Sequence, residues 1–358
     1  MKVTCCVVLL HLILVFEMIQ PGCKEQDILP PPPPGPAWRV FHKSDTTLLD
    51  NKINAITVAL DGSVWISTDL GASYFQRGSW GWVRDSLYGY RVNSIVEAKD
   101  RSIWFCLSGG GVMRYRPFAL SGAIWQRFTE PDLIYDVVNS SAADRSARTQ
   151  YGELWFTSVF GISRFVQTST ESGSWFKYSQ NDSGQHVSQF PTNSFLVALT
   201  KPDDNTIWFG AEKGGAVFVT YGLANLQWNV LGPLFGDPRV ISIGFDLFQH
   251  VWIGRDAGGV STIDFKTYTW TEYNSETTNG IIPGGRINAI VTDHQQIRWF
   301  GTDSGLVRFN NTTWTKYTTD NSLLPSNTIT ALCYDVRGNL WVGTADGIIV
   351  YNENGVEF

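Results

Sequence analysis

Basic residues are scarce in this chain: 27 Lys and Arg stand against 33 Asp and Glu, a net charge of −6 over 358 residues. Nucleic acids, whose phosphates select cationic surface, are excluded as partners on that ground. Charged residues make up only 17% of the sequence, and no stretch carries heptad-spaced apolar residues, which argues against coiled coils. The longest apolar run, Val7 to Phe16, falls well short of the ~20 residues a membrane-spanning helix needs. Histidine is rare too. Beyond the N-terminal run there are His42, His186, His250 and His294, without metal-type spacing. Neither a serine-nucleophile motif nor a glycine-rich phosphate loop is present. The expectation is therefore no catalytic residue, no metal and no cofactor.

What the chain does have is apolar and aromatic. Hydrophobic residues reach 43%, enough for a sizeable core, with 15 Trp, 21 Phe, 13 Tyr and 34 Gly. Many aromatics, many glycines and no helical periodicity point to an all-β fold.

The N-terminus reads as an address. Lys2 precedes the apolar run, and Ile19-Gln20-Pro21-Gly22-Cys23 follows it. A small residue directly before a cysteine at this place resembles a bacterial lipobox. On that reading, residues 1–22 are a lipoprotein signal peptide, Cys23 is lipidated, and acyl chains are the only membrane attachment. Lys24-Glu25-Gln26-Asp27 is similar to the export tag of some surface lipoproteins of the outer membrane. Pro30 to Pro34 and Pro36 favour polyproline II, so residues 23–37 form a stiff tether. Cys106 and Cys333 remain and are expected to be buried apolar residues, not a disulfide.

The body of the chain is repetitive. Trp65, Trp104, Trp155, Trp208, Trp252, Trp299 and Trp341 recur in one context, at a mean spacing of 46 residues. A glycine follows each by six or seven positions: Gly71, Gly111, Gly161, Gly215, Gly259, Gly305 and Gly347. This is a propeller period. Each unit reads as four strands, the fourth carrying Trp-x-x-aromatic or aliphatic: Trp80/Val83, Trp125/Phe128, Trp175/Tyr178, Trp228/Leu231, Trp270/Tyr273 and Trp314/Tyr317. The seventh unit ends at Phe358 without this strand, and Trp38-Arg39-Val40-Phe41 supplies it from the other end of the chain. The prediction is a seven-bladed β-propeller over residues 38–358, closed by an N-terminal strand completing the C-terminal blade. Trp82 alone among the tryptophans has no place in the repeat.

The seventh unit runs Ile329 to Leu332, Asp335-Val336-Arg337-Gly338-Asn339-Leu340-Trp341-Val342-Gly343-Thr344-Ala345-Asp346-Gly347, then Tyr351. It closely resembles the two-component-regulator propeller repeat. That resemblance implies extracytoplasmic recognition, with glycans a common ligand class, as in the sensor portions of hybrid histidine kinases. The chain carries one propeller and no kinase segment, so phosphorylation is not expected of it. The repeat is also similar to that of virginiamycin-B-type lyases, which use His and Glu with magnesium, but no such pairing stands out here.

Propeller logic places a site where the fourth-to-first loops meet the second-to-third turns. Residues preceding the first strands are Lys52, Arg91, Leu133, Ser194, Arg239, Arg286 and Thr328; the turns add Asp69, Glu212, Asp256, Asp303 and Asp346. Tyr88, Tyr90, Phe160 and Phe235 lie on the same loops. Two long segments stand out: Asn139 to Gly152, read as an insertion on the opposite face, and the polar loop Ser179 to Thr192 with His186. The expected protein is a monomeric outer-membrane lipoprotein, periplasmic or surface-exposed. Its propeller would bind a glycan or an envelope protein without catalysis. A propeller lyase or hydrolase and a structural scaffold are the alternatives.

Overall fold

The computed structural model describes residues 37–83, 86–117, 124–144, 150–180, 185–201, 206–221, 226–232, 239–257 and 259–358. The leader, Cys23, the proline tether and Phe235 lie outside the described residues. No helix among the described residues is long and apolar enough to cross a membrane.

Seven sheets of short strands follow one another along the chain, antiparallel except for one added strand in the third. The innermost strands are Ile53–Val58, Val92–Glu97, Ser140–Asp144, Phe195–Thr200, Val240–Phe245, Ile287–Thr292 and Ile329–Tyr334. Each touches the innermost strand of the blade before and after it, and the last touches the first, so the sheets form a closed ring. Six of the seven carry a bulge at their second residue: Asn54, Asn93, Leu196, Ile241, Asn288 and Thr330. A bulge twists the strand and re-aims one side chain. At Asn54, Asn93 and Asn288 the freed amide donates across the blade junction, to the carbonyls of Val92, Val138 and Ile329 at 2.8–3.0 Å. Asn139 does the same to Phe195 at 2.8 Å.

The repeated tryptophan anchors the second strand, which is buried along its length in almost every blade. Its indole lies nearly parallel to the aromatic ring of the fourth strand: Trp104 on Phe128, Trp155 on Tyr178, Trp252 on Tyr273, Trp299 on Tyr317 and Trp341 on Phe41, within 25°. Five blades share this stack. The two with an aliphatic residue in the slot, Val83 and Leu231, differ: in blade four Phe218 stacks on Trp208 at 4.3 Å instead, and in blade one Tyr74 tilts against Trp65 at 5.1 Å. In five blades the preceding turn accepts from the indole N–H. Ser63, Ser102 and Thr206 accept from Trp65, Trp104 and Trp208, and Asp246 and Asp335 from Trp252 and Trp341, all at 2.8–3.0 Å.

Closure is as the repeat arithmetic predicts. Trp38–Phe41 pairs antiparallel with Gly347–Tyr351, Val40 facing Ile349 and Phe41 facing Ile348. From the outside inward the sheet therefore has its fourth, third, second and first strands in order, the fourth coming from the N-terminal end of the propeller and the other three from the C-terminal end. Gly347 is needed where the chain reverses, since it has φ +117° and a Cβ there would lie 2.8 Å from the Phe41 carbonyl. Cys106 and Cys333 are free thiols. Burial pushes them up to about 12 and about 11, so both stay protonated and unreactive near neutrality.

Blade three departs from the sequence reading. The segment expected to be an insertion, Asn139 to Gly152, supplies the innermost strand, Ser140–Asp144. Val138 heads it, because its carbonyl receives Asn93 as Val92 receives Asn54. Leu133 is buried in the preceding loop and does not border the strand. The apolar pair Leu133-Ile134 imitated a strand start, whereas the true strand is made of Ser and Ala. The polar loop after Ser179 adds a fifth strand, Gln185–His186, parallel to Gly173–Ser179.

Phe41 also meets Phe75, Trp80 and Phe358. Removing it leaves a cavity at the seam, so Phe41→Ala is expected to cost about 3–5 kcal/mol, read as a lowered midpoint in urea unfolding. A midpoint unchanged from wild type would show that the seam bears little of the stability.

Candidate functional site

Backbone bonds hold the fourth-to-first loops against the second-to-third turns. The amides of Ser108, Glu212, Asp256 and Ala345 donate to the carbonyls of Arg91, Ser194, Arg239 and Thr328 at 2.9–3.2 Å. Residues preceding the first strands and residues of the turns are thus set side by side on one face.

Charges on this rim are joined in clamps that cross blade junctions. Asp69 of blade one accepts from Lys52 of its own blade at 2.8 Å and meets Arg91 of blade two at 3.4 Å. Asp256 of blade five meets Arg239 of its own blade at 2.6 Å and Arg286 of blade six at 2.9 Å. Asp346 of blade seven accepts from Asn51 of blade one at 2.9 Å. Asp303 pairs within its blade, with Asn288 at 2.7 Å. The four cations are about half exposed. Partial burial works against the charge of Asp69, but bonds from Lys52 and Asn54 and the nearby Arg91 outweigh it and hold its pKa below the usual range.

The other expected residues are not drawn into these clamps. Glu212 makes no side-chain hydrogen bond or ion pair among the described residues. Tyr88 is 62% exposed and leans on Trp82 at 5.9 Å. Tyr90 is half-buried beneath the Arg127 guanidinium, 5.4 Å from its ring. Phe160, 49% exposed, meets Tyr135 edge-on at 4.6 Å.

The opposite face carries buried ion pairs. Asp246, in the first-to-second turn of blade five, accepts from Arg298 of blade six at 2.6 Å, from Trp252 at 3.0 Å and from His250 at 2.9 Å. Arg298 lies 5.3 Å from the Trp252 ring. In blades two and three the third strand supplies the cation, Arg114 over Trp104 with Asp100 and Arg164 over Trp155 with Glu153. No group of three or more metal-type ligands occurs among the described residues.

Cavities also lie away from the rim. One, of about 610 Å³, opens between blades six and seven around His294, Arg308, Arg337 and Glu353. The larger, about 870 Å³, is a groove in the wall of the ring between blades one and two. Trp65, Tyr74, Trp82, Val83, Tyr115 and Trp125 line it, with Asp61, Gln76, Arg77, Glu97 and Arg101 at the end formed by the first-to-second and third-to-fourth turns. Burial, with Tyr74 adjacent, raises the Tyr115 phenol pKa, so it stays a neutral hydroxyl. Sequence reasoning missed this groove. Its signals were present: Trp82 outside the repeat, and Val83 in an aromatic slot.

The family model described as "Two component regulator propeller" matches residues 323–346. The fold resembles the extracellular domain of the putative one component system BT4673 from B. thetaiotaomicron: TM-score 0.68, 19% identity, 90% of this chain and 40% of that one. It resembles that of the putative hybrid two component system BT3049 from the same organism: TM-score 0.69, 18% identity, 88% and 42%. This chain therefore spans well under half the length of those sensor domains. Virginiamycin B lyase from Staphylococcus aureus is similar at TM-score 0.64 and 16% identity, over 88% of this chain and 98% of the lyase. No curated protein matches the chain. At these identities the likeness is one of fold: a seven-bladed β-propeller of the kind seen in two-component-system sensor ectodomains and in lyases.

The Asp246 pair sets a pH dependence. Burial opposes its charge, but bonds from Arg298, Trp252 and His250 leave its pKa below the unfolded value. Its contribution is therefore full above about pH 4 and drains as pH falls through the depressed native value. Asp246→Asn strands the Arg298 charge and should cost about 3–5 kcal/mol at pH 7. The gap between wild type and variant, read from thermal midpoints, narrows from pH 5 to pH 2; a gap constant over that range would contradict the assignment.

Proposed function

We propose that this chain is a non-catalytic recognition propeller of the bacterial envelope, lipid-anchored through Cys23, which binds a glycan or a protein partner at its rim. The observation that carries the reading is the pair of clamps, Lys52–Asp69–Arg91 and Arg239–Asp256–Arg286, in which carboxylates orient half-exposed cations. Exposed ion pairs of this kind add only about 0–1 kcal/mol to stability. Their donors are pre-arranged for acceptor groups of a ligand, since a guanidinium offers five N–H groups in a fixed plane. Tyr88 and Phe160 supply exposed apolar area on the same loops. The lipobox-like segment and the likeness to sensor ectodomains support an extracytoplasmic address.

The test is a screen of the full chain against immobilised neutral and acidic glycans and against envelope proteins from a Gram-negative lysate. Wild type is expected to bind at least one partner, with affinity falling as salt rises. Arg239→Ala with Arg286→Ala is expected to weaken binding by about tenfold while shifting the melting midpoint little. Binding undiminished in that double variant contradicts a rim site.

A further inference from the structure

The groove between blades one and two is a built feature. In five blades an aromatic ring of the fourth strand fills the space beside the second-strand indole; in blade one Val83 stands there, and the space is open. At the third-strand position facing the indole the blades vary: two, three and six place Arg114, Arg164 and Arg308, four, five and seven place Phe218, Thr262 and Val350, and blade one places Tyr74. Tyr74 lies flat across the outer strand because its partner there is Gly81. A Cβ at that glycine would sit 2.4 Å from the Tyr74 ring. The next residue is Trp82, the tryptophan the repeat does not require. Opposite, on blade two, Tyr115 stacks with Trp125 at 4.6 Å. Blade four shares the aliphatic slot residue and the third-strand ring, with Leu231 and Phe218; what sets the blade one junction apart is Gly81 beneath Tyr74, the added Trp82, and the Tyr115–Trp125 stack opposite.

The polar end carries two arginines in left-handed turns. Arg101 and Arg77 have φ 69° and 49°. At the place of Arg101 blades one and seven use Gly62 and Gly338 and blades five and six use Gln249 and Gln296, and blade six uses Asn311 where blade one has Arg77. These conformations disfavour arginine, so the backbone alone gives no reason for it. Asp61 accepts from Gln76 at 3.1 Å, and Glu97 meets Arg101 at 3.5 Å. Two carboxylates and two guanidiniums leave this end without net charge.

We infer that this groove binds a neutral glycan chain, one pyranose lying against the aromatic wall and its hydroxyls bonding to the turn residues. A pyranose presents apolar C–H groups on one face and hydroxyls at its edge, which matches rings along the wall and amide, carboxylate and guanidinium groups at one end. The volume is that of a ligand site, for which about 300–1,000 Å³ is usual. The balance of charge selects a neutral sugar over an acidic one. A wholly apolar peptide or lipid tail would leave the turn end unmatched. The site stands apart from the rim and does not depend on the rim reading.

Tryptophan emission of the full chain reports on it directly, because three indoles line the wall. Probes are cellotetraose, xylotetraose, mannotetraose and chitotetraose. At least one is expected to shift the emission and saturate. Trp82→Ala is expected to weaken that binding by about tenfold. Arg101→Gly, which also relieves the backbone, is expected to weaken it by about threefold. Arg239→Ala with Arg286→Ala leaves it unchanged, which separates the groove from the rim. If Trp82→Ala loses its near-ultraviolet circular dichroism, Arg101→Gly decides. No saturation by any probe below about 10 mM overturns the proposal. So does wild-type affinity in both groove variants, or in Arg101→Gly alone where Trp82→Ala is unfolded.

Discussion

The packing of one indole between strands of its own blade and the face of the next is the constraint on which this ring depends. An isolated four-stranded meander of this length buries too little to persist, and its outer faces must be covered by neighbours. In five blades the buried Trp of the second strand does this twice. It lies on the fourth-strand ring within the blade and packs against the next blade, as Trp104 lies on Phe128 and meets Phe165. Such a chain of contacts leaves an unsatisfied blade at each end unless it closes. Trp38–Phe41 closes it, and Phe41 lies on Trp341 within 7° as though the two ends were one continuous blade.

Closure has consequences for where recognition can occur. Because the inner strands bulge at their second residues, asparagines cross the junctions and fix the blades relative to one another. The loops above them are then held on a stiff base, and the cations of the rim are oriented by carboxylates of the adjoining blade. Repetition also makes departures informative. Where five blades repeat a stack and blade four replaces it with Phe218 on Trp208, blade one only tilts Tyr74 against Trp65, and a groove lies at its junction with blade two.

Much of this was legible in the sequence, and the reason is physical. A stack that recurs needs the same residue types at the same strand positions, so Trp65 through Trp341 and their fourth-strand partners mark the blades. The missing seventh partner, Phe41, is found in Trp38–Phe41. Blade three was less legible, since Ser140 to Asp144 has neither the branched nor the aromatic residues that mark a strand. It is held by its neighbours and by Asn139, a signal visible only once Asn54, Asn93 and Asn288 are seen to do the same. The rim residues could be named, but which acid clamps which base depends on the spacing of adjacent blades. The groove depends on that spacing still more, although Gly81, Trp82 and Val83 departed from the repeat in plain view.

Hydrogen exchange of the closing strand tests the central claim most directly. Amides of Trp38–Phe41 that pair with Gly347–Tyr351 in a closed ring should exchange as slowly as those of the fourth strands of interior blades, such as Trp314–Tyr317, and should open only together with the seventh blade. Exchange at the rate of an unstructured peptide, with the rest of the ring protected, would show that the chain's ends are not joined and would contradict the account.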